Sequence, residues 1–408
     1  SDCMPEKDAA VVAAVAKGLE GVIAAATSIS SIDGTAGRLT YRGIPIEDLA
    51  ANSFYEEVAY FLWNGQLPTQ PQLEQFMADL ALMRKLPDNI VAALKIFPTT
   101  SSGMDMLRTV ISLLSVSDPE EENNSPGANR RKALRLMALF PSIIAGFHRV
   151  RNGLDIIAPN PTLGHAENFL YMLTGAKPDP VRVKGVDLYL VLLADHGLNA
   201  STFTARVIAG TEADMYAAVT GALGALKGPL HGGANQGVMD MLDEIGSLAH
   251  VDAWFDATMS GHRRIMGMGH RVYKTEDPRA RVLRRVSDEM GHAVGQHDLH
   301  EMALRIEQRA IAHPHFLERK LAPNVDYYSA TVLYYAGIPL DLFTTIFAMS
   351  RIVGWTAHLI EQYADNRLIR PRAQYIGPDY QPYVPMAERT TEKLAEVAQS
   401  LHMASSQS

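Results

Sequence analysis

The segment Gly228–Asn235, with the sequence GPLHGGAN, combines a helix break with a single imidazole. Gly228 and Pro229 end an apolar, alanine-rich helical pattern, and Asn235 opens another. His231 therefore lies on a loop that leads into a helix N-terminus, where backbone N–H groups disfavour a positively charged ring. A neutral imidazole can polarise a carbonyl group without first losing a proton. The alternative is a glycine-rich turn whose histidine has no chemical role.

A second segment, Arg264–His270, brings glycines and basic side chains together. Gly267 and Gly269 allow the backbone to approach a ligand closely, and positive charge around that backbone suits phosphate groups. The basic side chains are Arg264, Arg271 and Lys274. A dinucleotide-binding motif is excluded, because no third glycine follows in register and no strand precedes the segment. The alternative is a surface turn with solvated charges.

Two helical segments carry further charged groups. Asn324 is suited to cap a helix, which places Asp326 in its first turn. There a carboxylate either complements the helix dipole or, desolvated beside tyrosine rings, acts as a base. Arg351 lies on a largely apolar helical strip, with Phe347 and Trp355 at four-residue spacing. A buried guanidinium needs an anionic partner, which is either a structural carboxylate or the carboxylate of a ligand.

Several other polar residues are ambiguous. His196 lies on a turn between two helical stretches, where a lone histidine is more often structural than catalytic. Arg370 precedes a proline and is therefore extended, in a run too short for a nucleic-acid patch. His297 and His300 form an i, i+3 pair beside Glu301, but no clear set of further ligands completes a metal site. We therefore predict no metal site.

Composition narrows the class of protein. The chain has 408 residues and a net charge of -8, without a basic block, which argues against nucleic acid as the main partner. A local cluster of arginines can still bind a small anion. The single cysteine, Cys3, excludes an intramolecular disulfide and fits a reducing compartment. Since we find neither a signal peptide nor a segment of membrane-spanning length, we expect a cytoplasmic protein.

The elements that must position these residues are mainly helical. Residues 22–31 and 38–41, joined by a turn at Asp33 and Gly34, are predicted as the main strands. Apolar residues at three- and four-residue steps predict helices over 54–62, 72–83, 89–97, 132–150, 169–173, 186–193 and 201–209. Pro141 predicts a kink in its helix, and residues 117–130 predict an exposed connection. We therefore predict an all-α protein with a short N-terminal β segment.

Taken together, these segments resemble the citrate synthase family over nearly the whole chain. The resemblance begins at Gly18–Val22. It is most specific at Gly228–Asn235, Met266–Arg279, Asn324–Ser329 and Ser350–Pro371. Each motif alone is weak evidence for the family, but four motifs in the family's order are strong evidence.

The resemblance implies a mainly α-helical homodimer. Each subunit would have a large domain and a smaller domain that closes over substrate. We place the large domain at residues 1–221 and 332–408, and the inserted small domain, on the acyl-CoA side, at residues 222–331.

The family's reaction implies roles for the candidate residues. Acetyl-CoA condenses with oxaloacetate, and hydrolysis of the citryl thioester gives citrate and CoA. Asp326 resembles the base that removes a methyl proton, His231 the donor to the thioester oxygen, and His270 the donor to the oxaloacetate carbonyl. Further implied oxaloacetate ligands are His196, Arg279, Arg351 and, from the partner subunit, Arg370. The implied CoA-binding residues are Arg264, Ile265, Met266, Gly267, Met268, Gly269 and Lys274. The chemistry needs no metal or redox cofactor.

Two alternatives remain open. A 2-methylcitrate synthase uses propionyl-CoA on the same scaffold, and one methylene is worth only ~1–3 kcal/mol in a pocket. The quoted residues do not distinguish the two substrates. A catalytically silent helical binding protein is the other alternative, and the joint presence of His231, His270 and Asp326 argues against it.

Overall fold

The computed structural model describes residues 14–405, so Cys3 lies outside the described range. The chain divides into two compact units, a terminal unit of Ser1–Ala26 with Arg370–Ser408 and a core unit of Thr27–Ile369. The described elements of the terminal unit are two 3-10 turns, Lys17–Leu19 and Met386–Glu388, and a C-terminal helix, Thr391–Ser405. The predicted small domain, residues 222–331, lies within the core unit, and its separate motion stays a prediction.

The β content of the core unit is a three-stranded antiparallel sheet in the order β1-β2-β3. Its strands are β1 (Ser30–Asp33), β2 (Arg38–Tyr41) and β3 (Ile44–Pro45). The predicted strand over residues 38–41 is confirmed. The strand predicted over residues 22–31 is wrong before Ser30, because no strand within residues 14–405 pairs with that stretch. The backbone N–H of Ser28, for example, donates to a carboxylate oxygen of Glu361 at 2.9 Å.

The other regular elements of the core unit are helices, which confirms the predicted fold class. The first nine helices are α1 (Ile46–Asn52), α2 (Tyr55–Asn64), α3 (Gln70–Leu82), α4 (Asp88–Ile96), α5 (Gly103–Ser115), α6 (Pro126–Arg151), α7 (His165–Thr174), α8 (Pro180–Leu193) and α9 (Ala200–Gly210). The next eight are α10 (Met215–Leu226), α11 (Ala234–Ile245), α12 (Val251–Ser260), α13 (Pro278–Ala293), α14 (His297–Ile311), α15 (Pro314–Arg319), α16 (Val325–Tyr335) and α17 (Phe343–Ala364). The helix of the terminal unit is α18 (Thr391–Ser405).

Helix α6 differs from its prediction at the N-terminal end. It begins at Pro126, not at 132, because Ser125 caps it and a proline fits the first helical turn. The exposed connection predicted at residues 117–130 is therefore shorter at its C-terminal end. The helix continues without interruption through Pro141.

Helix α6 is also the one described helix that is long and apolar enough to cross a membrane, with a window hydropathy of 1.2. Our expectation that no segment reaches this length is therefore wrong. Since 78% of that window is buried inside the protein, α6 has the surroundings of a core helix.

Helix α17 lies in the core and packs closely on the end of α8. A Cβ atom at Gly354 would lie 2.1 Å from the carbonyl oxygen of Ala194, so only glycine permits this approach. On either side of Gly354, Arg351 Nε donates to Leu193 O at 2.8 Å, and His358 Nε2 lies 3.1 Å from an oxygen of Asp195. This contact places Arg351 beside the loop that follows α8.

Candidate active site

His231 lies on the turn between α10 and α11, as the sequence predicts. Its Nε2 is 2.8 Å from Ser201 Oγ and 3.2 Å from Asn199 Oδ1, and its ring meets Phe347 edge to face at 6.0 Å. Burial, reinforced by the positive charge of Arg351, lowers the pKa of His231 to about 4. The predicted neutral ring is confirmed, but burial and not the helix N-terminus is the main cause.

A hydrogen-bond chain at His231 bears on which ring nitrogen carries the proton. The indole N–H of Trp355 can only donate, and it donates to Ser201 Oγ at 3.0 Å. The hydroxyl proton of Ser201 is then available to His231 Nε2 or to Asn199 Oδ1, which lies 2.8 Å away. When Ser201 donates to Nε2, the neutral imidazole carries its proton on Nδ1.

His270 presents the opposite nitrogen. Its Nδ1 accepts the backbone N–H of Val272 at 2.9 Å, so a neutral ring carries its proton on Nε2. Burial, followed by the charge of Arg279, lowers the pKa of His270 to about 4. The ring packs against Tyr273 and His196, with centroid distances of 4.8 and 5.4 Å. His270 is therefore a neutral N–H donor.

His196 lies in the loop between α8 and α9, and its Nε2 is 2.9 Å from the hydroxyl of Tyr273. Burial lowers the pKa of His196 well below its ordinary value, and the charges of Arg279 and Arg351 add to this shift. Two histidines and a tyrosine thus form an uncharged group beside two guanidinium ions.

The two arginines differ in their partners. Arg279, at the N-terminus of α13, makes a buried two-point contact with Asp277, with Nε–Oδ1 and Nη2–Oδ2 distances of 3.1 and 2.8 Å. Arg351 is 2% exposed and lies over Phe347, 4.8 Å from the ring centre. Within residues 14–405 no carboxylate oxygen comes within 4.0 Å of its guanidinium nitrogens. The charge of the buried Asp195 acts on Arg351 without a direct ion pair, so the guanidinium can also bind a ligand carboxylate.

Asp326 lies in the first turn of α16, where Asn324 caps the helix as predicted. Asn324 Oδ1 accepts the backbone N–H of Asp326 at 2.9 Å. The carboxylate of Asp326 accepts no hydrogen bond from any described residue. Burial raises its pKa to about 6, against the opposing charge of Arg279. A carboxylate with this pKa is ionised at neutral pH and is more basic than an exposed one.

The glycine segment is held against the start of α16. Met268 and Pro323 form an antiparallel bridge, and Asn324 N donates to Gly267 O at 2.9 Å. Gly267 has a φ of 78°, and a Cβ there would lie 3.0 Å from Tyr327. The backbone of this segment thus packs closely on α16 next to Asp326, and its approach to a ligand stays a prediction.

A cavity of about 780 Å³ opens beside this segment. Its walls include the predicted residues Arg264, Ile265, Met268 and Gly269, together with His270. Met266, Gly267 and Lys274 do not line it. Sequence reasoning missed its other basic and aromatic walls, which are His262, Arg263, His313, His315, Phe316 and Arg319. His262 and Arg263 precede the glycine segment, and the other four lie in α15 or at its cap, so their only sequence signal was a local excess of arginine and histidine.

The predicted site residues of the core unit share one electrostatic neighbourhood. The charge of Arg279 shifts the pKa values of His196, His270 and Asp326, and that of Arg351 shifts those of His196 and His231. Arg370 belongs to the terminal unit, where its Nη1 donates to Pro371 O at 2.6 Å.

Four polar side chains in this neighbourhood were missed. They are Tyr189, Asn199, Ser201 and Tyr273. Tyr189 has a buried hydroxyl without a hydrogen-bond partner among residues 14–405, close to the charge of Asp326. Its apolar helical surroundings gave no signal of a polar role, whereas Ser201 and Tyr273 follow histidines that the sequence did single out.

A sequence profile described as "Citrate synthase, C-terminal domain" matches residues 18–372. This chain belongs to the citrate synthase family. It is 48% identical over 375 residues to citrate synthase 2 of Bacillus subtilis, covering 91% of this chain and 99% of that protein. It is also 42% identical over 364 residues to 2-methylcitrate synthase of Mycobacterium tuberculosis H37Rv, covering 89% and 91%.

Solved citrate synthases share the fold. One is the ternary complex of carboxymethyl coenzyme A and oxaloacetate with citrate synthase from Thermoplasma acidophilum, with a TM-score of 0.86 and 35% identity. The match covers 92% of this chain and all of that chain. The family predicted from four motifs is therefore confirmed.

Proposed function

We propose that this chain is a citrate synthase that condenses acetyl-CoA with oxaloacetate and hydrolyses the citryl thioester. The observation that carries the proposal is the grouping of neutral His231 and His270 with the moderately basic Asp326 around two buried guanidinium ions. A weakly acidic thioester α-proton needs a base and a hydrogen-bond donor on the same substrate. Membership of the family supports the same assignment.

Oxaloacetate would bind first to the arginines. Arg351 lacks a carboxylate partner within 4.0 Å among the described residues, and forked guanidinium groups suit a dicarboxylate. Arg279 would share its guanidinium between Asp277 and the ligand. His270 would donate its Nε2–H to the ketone oxygen, because its Nδ1 is already occupied by Val272 N–H.

Acetyl-CoA would bind through the cavity beside the glycine segment. Its phosphates would lie among basic side chains such as Arg264 and Arg319, and its thioester would reach Asp326 at the adjoining helix. Asp326 would remove a methyl proton while His231, protonated on Nδ1, donates to the thioester oxygen. The resulting enol carbon then attacks the ketone carbon held by His270, and water hydrolyses the thioester.

These steps use acid–base groups and a carbon–carbon bond formation, so we propose that no cofactor takes part. We further propose a homodimer in which Arg370 serves the oxaloacetate site of the partner subunit. This assignment rests on the family resemblance of the segment that contains Arg370.

A specific observation favours one second candidate. The relative from Mycobacterium tuberculosis is named 2-methylcitrate synthase and is 42% identical to this chain. An enzyme of that class would accept propionyl-CoA, and the residues above do not discriminate against one additional methylene.

The test is release of CoA thiol with oxaloacetate and either acetyl-CoA or propionyl-CoA. We expect a higher kcat/KM with acetyl-CoA, and Asp326→Asn should lose at least about a hundredfold in kcat. A higher kcat/KM with propionyl-CoA would support the second candidate. Absence of thiol release with both substrates would contradict enzymatic function.

A further inference from the structure

A cluster of metal-ligating side chains lies where α13 meets α14, outside the candidate active site. One ligand atom from each of Asp288, His292 and His297 lies within 4.8 Å of the other two. His292 follows Arg279 by 13 residues on the same helix, which separates the two by ~20 Å at 1.5 Å per residue. Along α13 the cluster is therefore well separated from Arg279.

His297 is held between two carboxylates. Its Nε2 is 2.5 Å from Asp288 Oδ1, and its Nδ1 is 3.0 Å from Glu301 Oε1. In protein metal sites, a ligating histidine commonly donates its second ring N–H to a carboxylate, which fixes the tautomer and the ring orientation. Glu301 is already in that position, so His297 Nε2 is oriented toward the centre of the cluster.

His292 and His300 complete the surroundings of Asp288. His292 Nε2 lies 3.6 Å from Asp288 Oδ1, and its ring stacks on that of His297 with a centroid distance of 3.6 Å. His300 is buried, its Nδ1 is 2.8 Å from Ser287 Oγ, and its Nε2 is 3.8 Å from Asp288 Oδ1. Three imidazole nitrogens thus surround a single carboxylate oxygen.

The sequence alone predicts no metal site here, but the structure adds Asp288 and His292 to His297. We propose that these three residues bind a divalent transition-metal cation of the zinc type, with Glu301 positioning His297 and water completing the coordination. Imidazole ligands with one carboxylate suit zinc better than magnesium or calcium, which prefer all-oxygen sites. Bonds of about 2.0–2.1 Å place neighbouring ligand atoms of a tetrahedral site about 3.3 Å apart. The Asp288–His292 separation of 3.6 Å is close to this value.

Binding releases the proton that His297 Nε2 shares with Asp288 and requires a small rearrangement of side chains. The stacked rings must fan apart so that both Nε2 atoms point at the metal, and the 2.5 Å contact between His297 and Asp288 must open by about 1 Å. The side chain of His292 is 67% exposed, so it can make this change by rotation alone. The bound cation would then link the end of α13 to the start of α14.

The experiment uses the full chain, without a histidine tag and freed of metal by a chelator. Zn²⁺ binding is measured by titration calorimetry and by equilibrium dialysis with metal analysis. We expect one equivalent per chain, and a loss of at least about tenfold in affinity for Asp288→Asn, His292→Asn and His297→Asn. Glu301→Gln should weaken binding by about 10–100-fold, as loss of a carboxylate partner of a ligating histidine does.

Matched controls keep the result specific. Glu289→Gln and Asp298→Asn remove exposed neighbouring carboxylates outside the cluster and should leave the affinity unchanged. His313→Asn with His315→Asn tests the histidines of the large cavity instead. Zn²⁺ should raise the Tm of the parent and not that of His292→Asn. Because the side chain of His292 is exposed, this substitution should not disturb folding, and lost binding would report the loss of a ligand.

Three results would overturn the proposal. They are equal affinity in the parent and in all three ligand variants, loss of binding only in the His313 and His315 variant, and Mg²⁺ competing with Zn²⁺ at equal concentration. None of these results bears on the condensation activity, which is measured separately by thiol release.

Discussion

The side-chain amide of Asn324 donates to the carbonyl oxygen of Gly269 at 2.8 Å. The oxygen of the same side chain caps α16 through the backbone N–H of Asp326. One side chain therefore joins the glycine segment beside the large cavity to the helix turn that carries the proposed base.

Asn324→Ala should separate these two elements. We expect the free energy of unfolding to fall by about 1–2 kcal/mol, because the helix loses its cap. We also expect kcat/KM for acetyl-CoA to fall by about tenfold or more. Asn324→Ser retains a capping hydroxyl that is too short to reach Gly269, so it should recover stability and not catalysis. Ser125→Ala, which removes the cap of α6, is the control for a purely stabilising residue. Unchanged kinetics in Asn324→Ala would contradict the positioning role.

The pH profile should report Asp326. A base is active when deprotonated, so kcat/KM should rise with pH through about 6, the value to which burial raises the pKa of Asp326. His231 and His270, with pKa values of about 4, stay neutral over that range and add no limb above pH 5. Steady-state kinetics between pH 4.5 and 8 test this expectation. A kcat/KM that stays constant between pH 5 and pH 8, without a limb near pH 6, would contradict Asp326 as the base.

Ser201→Ala should impair the proposed role of His231. In the proposed tautomer Ser201 donates to Nε2 and the ring proton lies on Nδ1, so removal of the hydroxyl removes this donor. We expect kcat to fall by about 10–100-fold, with little change in KM for oxaloacetate. Thr202→Val is a matched control, because the neighbouring Thr202 hydroxyl is buried without a hydrogen-bond partner in the described part of the chain. Equal kcat values for the two variants would argue against this tautomer.

Asp187→Asn should change how stability depends on pH. Burial, with the nearby charge of Glu56, raises the pKa of Asp187 to about 7. Between about pH 4 and pH 7 the folded state then holds a proton that the unfolded state has lost, so stability falls as pH rises. The variant keeps the oxygen that accepts Tyr55 N–H, and we expect it to be more stable than the parent by about 1–3 kcal/mol at pH 8.

At pH 4 this difference should disappear, because the parent carboxyl is then neutral as well. Urea unfolding at both pH values measures it, with the exposed Asp240→Asn as a control. If the difference in unfolding free energy between the parent and Asp187→Asn is the same at pH 4 and at pH 8, the raised pKa of Asp187 is contradicted.

The proposed sharing of Arg370 between subunits is tested by complementation. Arg370→Ala and Asp326→Asn are mixed under conditions that exchange subunits. About half of the dimers are then mixed, and each has one intact site of two, so activity should return to roughly a quarter of the parent value. If Arg370 served its own subunit, every site would carry one defect. Subunit exchange confirmed by mass without recovered activity would exclude sharing.

The sequence predicted the local features of the site well. The cap at Asn324, the turn at His231 and the apolar surroundings of Arg351 each depend on residues within one helical turn or loop, where spacing determines geometry. The all-α fold followed from the period of apolar residues.

Contacts between distant segments could not be predicted in this way. The Trp355–Ser201–His231 chain joins three elements that are far apart in sequence. Two partners of His297, Asp288 and His292, lie on α13, and no local pattern predicts that this face of α13 meets α14. The N-terminal strand was predicted too long because β propensity is local, whereas a strand also requires a neighbour that supplies hydrogen bonds.

Gly354 has a consequence for how this protein tolerates sequence variation. The contact it permits is with the backbone carbonyl of Ala194, directly after α8, so no exchange of surrounding side chains can recreate the missing space. In a randomised library selected for thiol release, the apolar neighbours of Gly354 should vary in correlated groups that conserve volume. Position 354 should instead remain glycine in every active clone, independent of what its neighbours become.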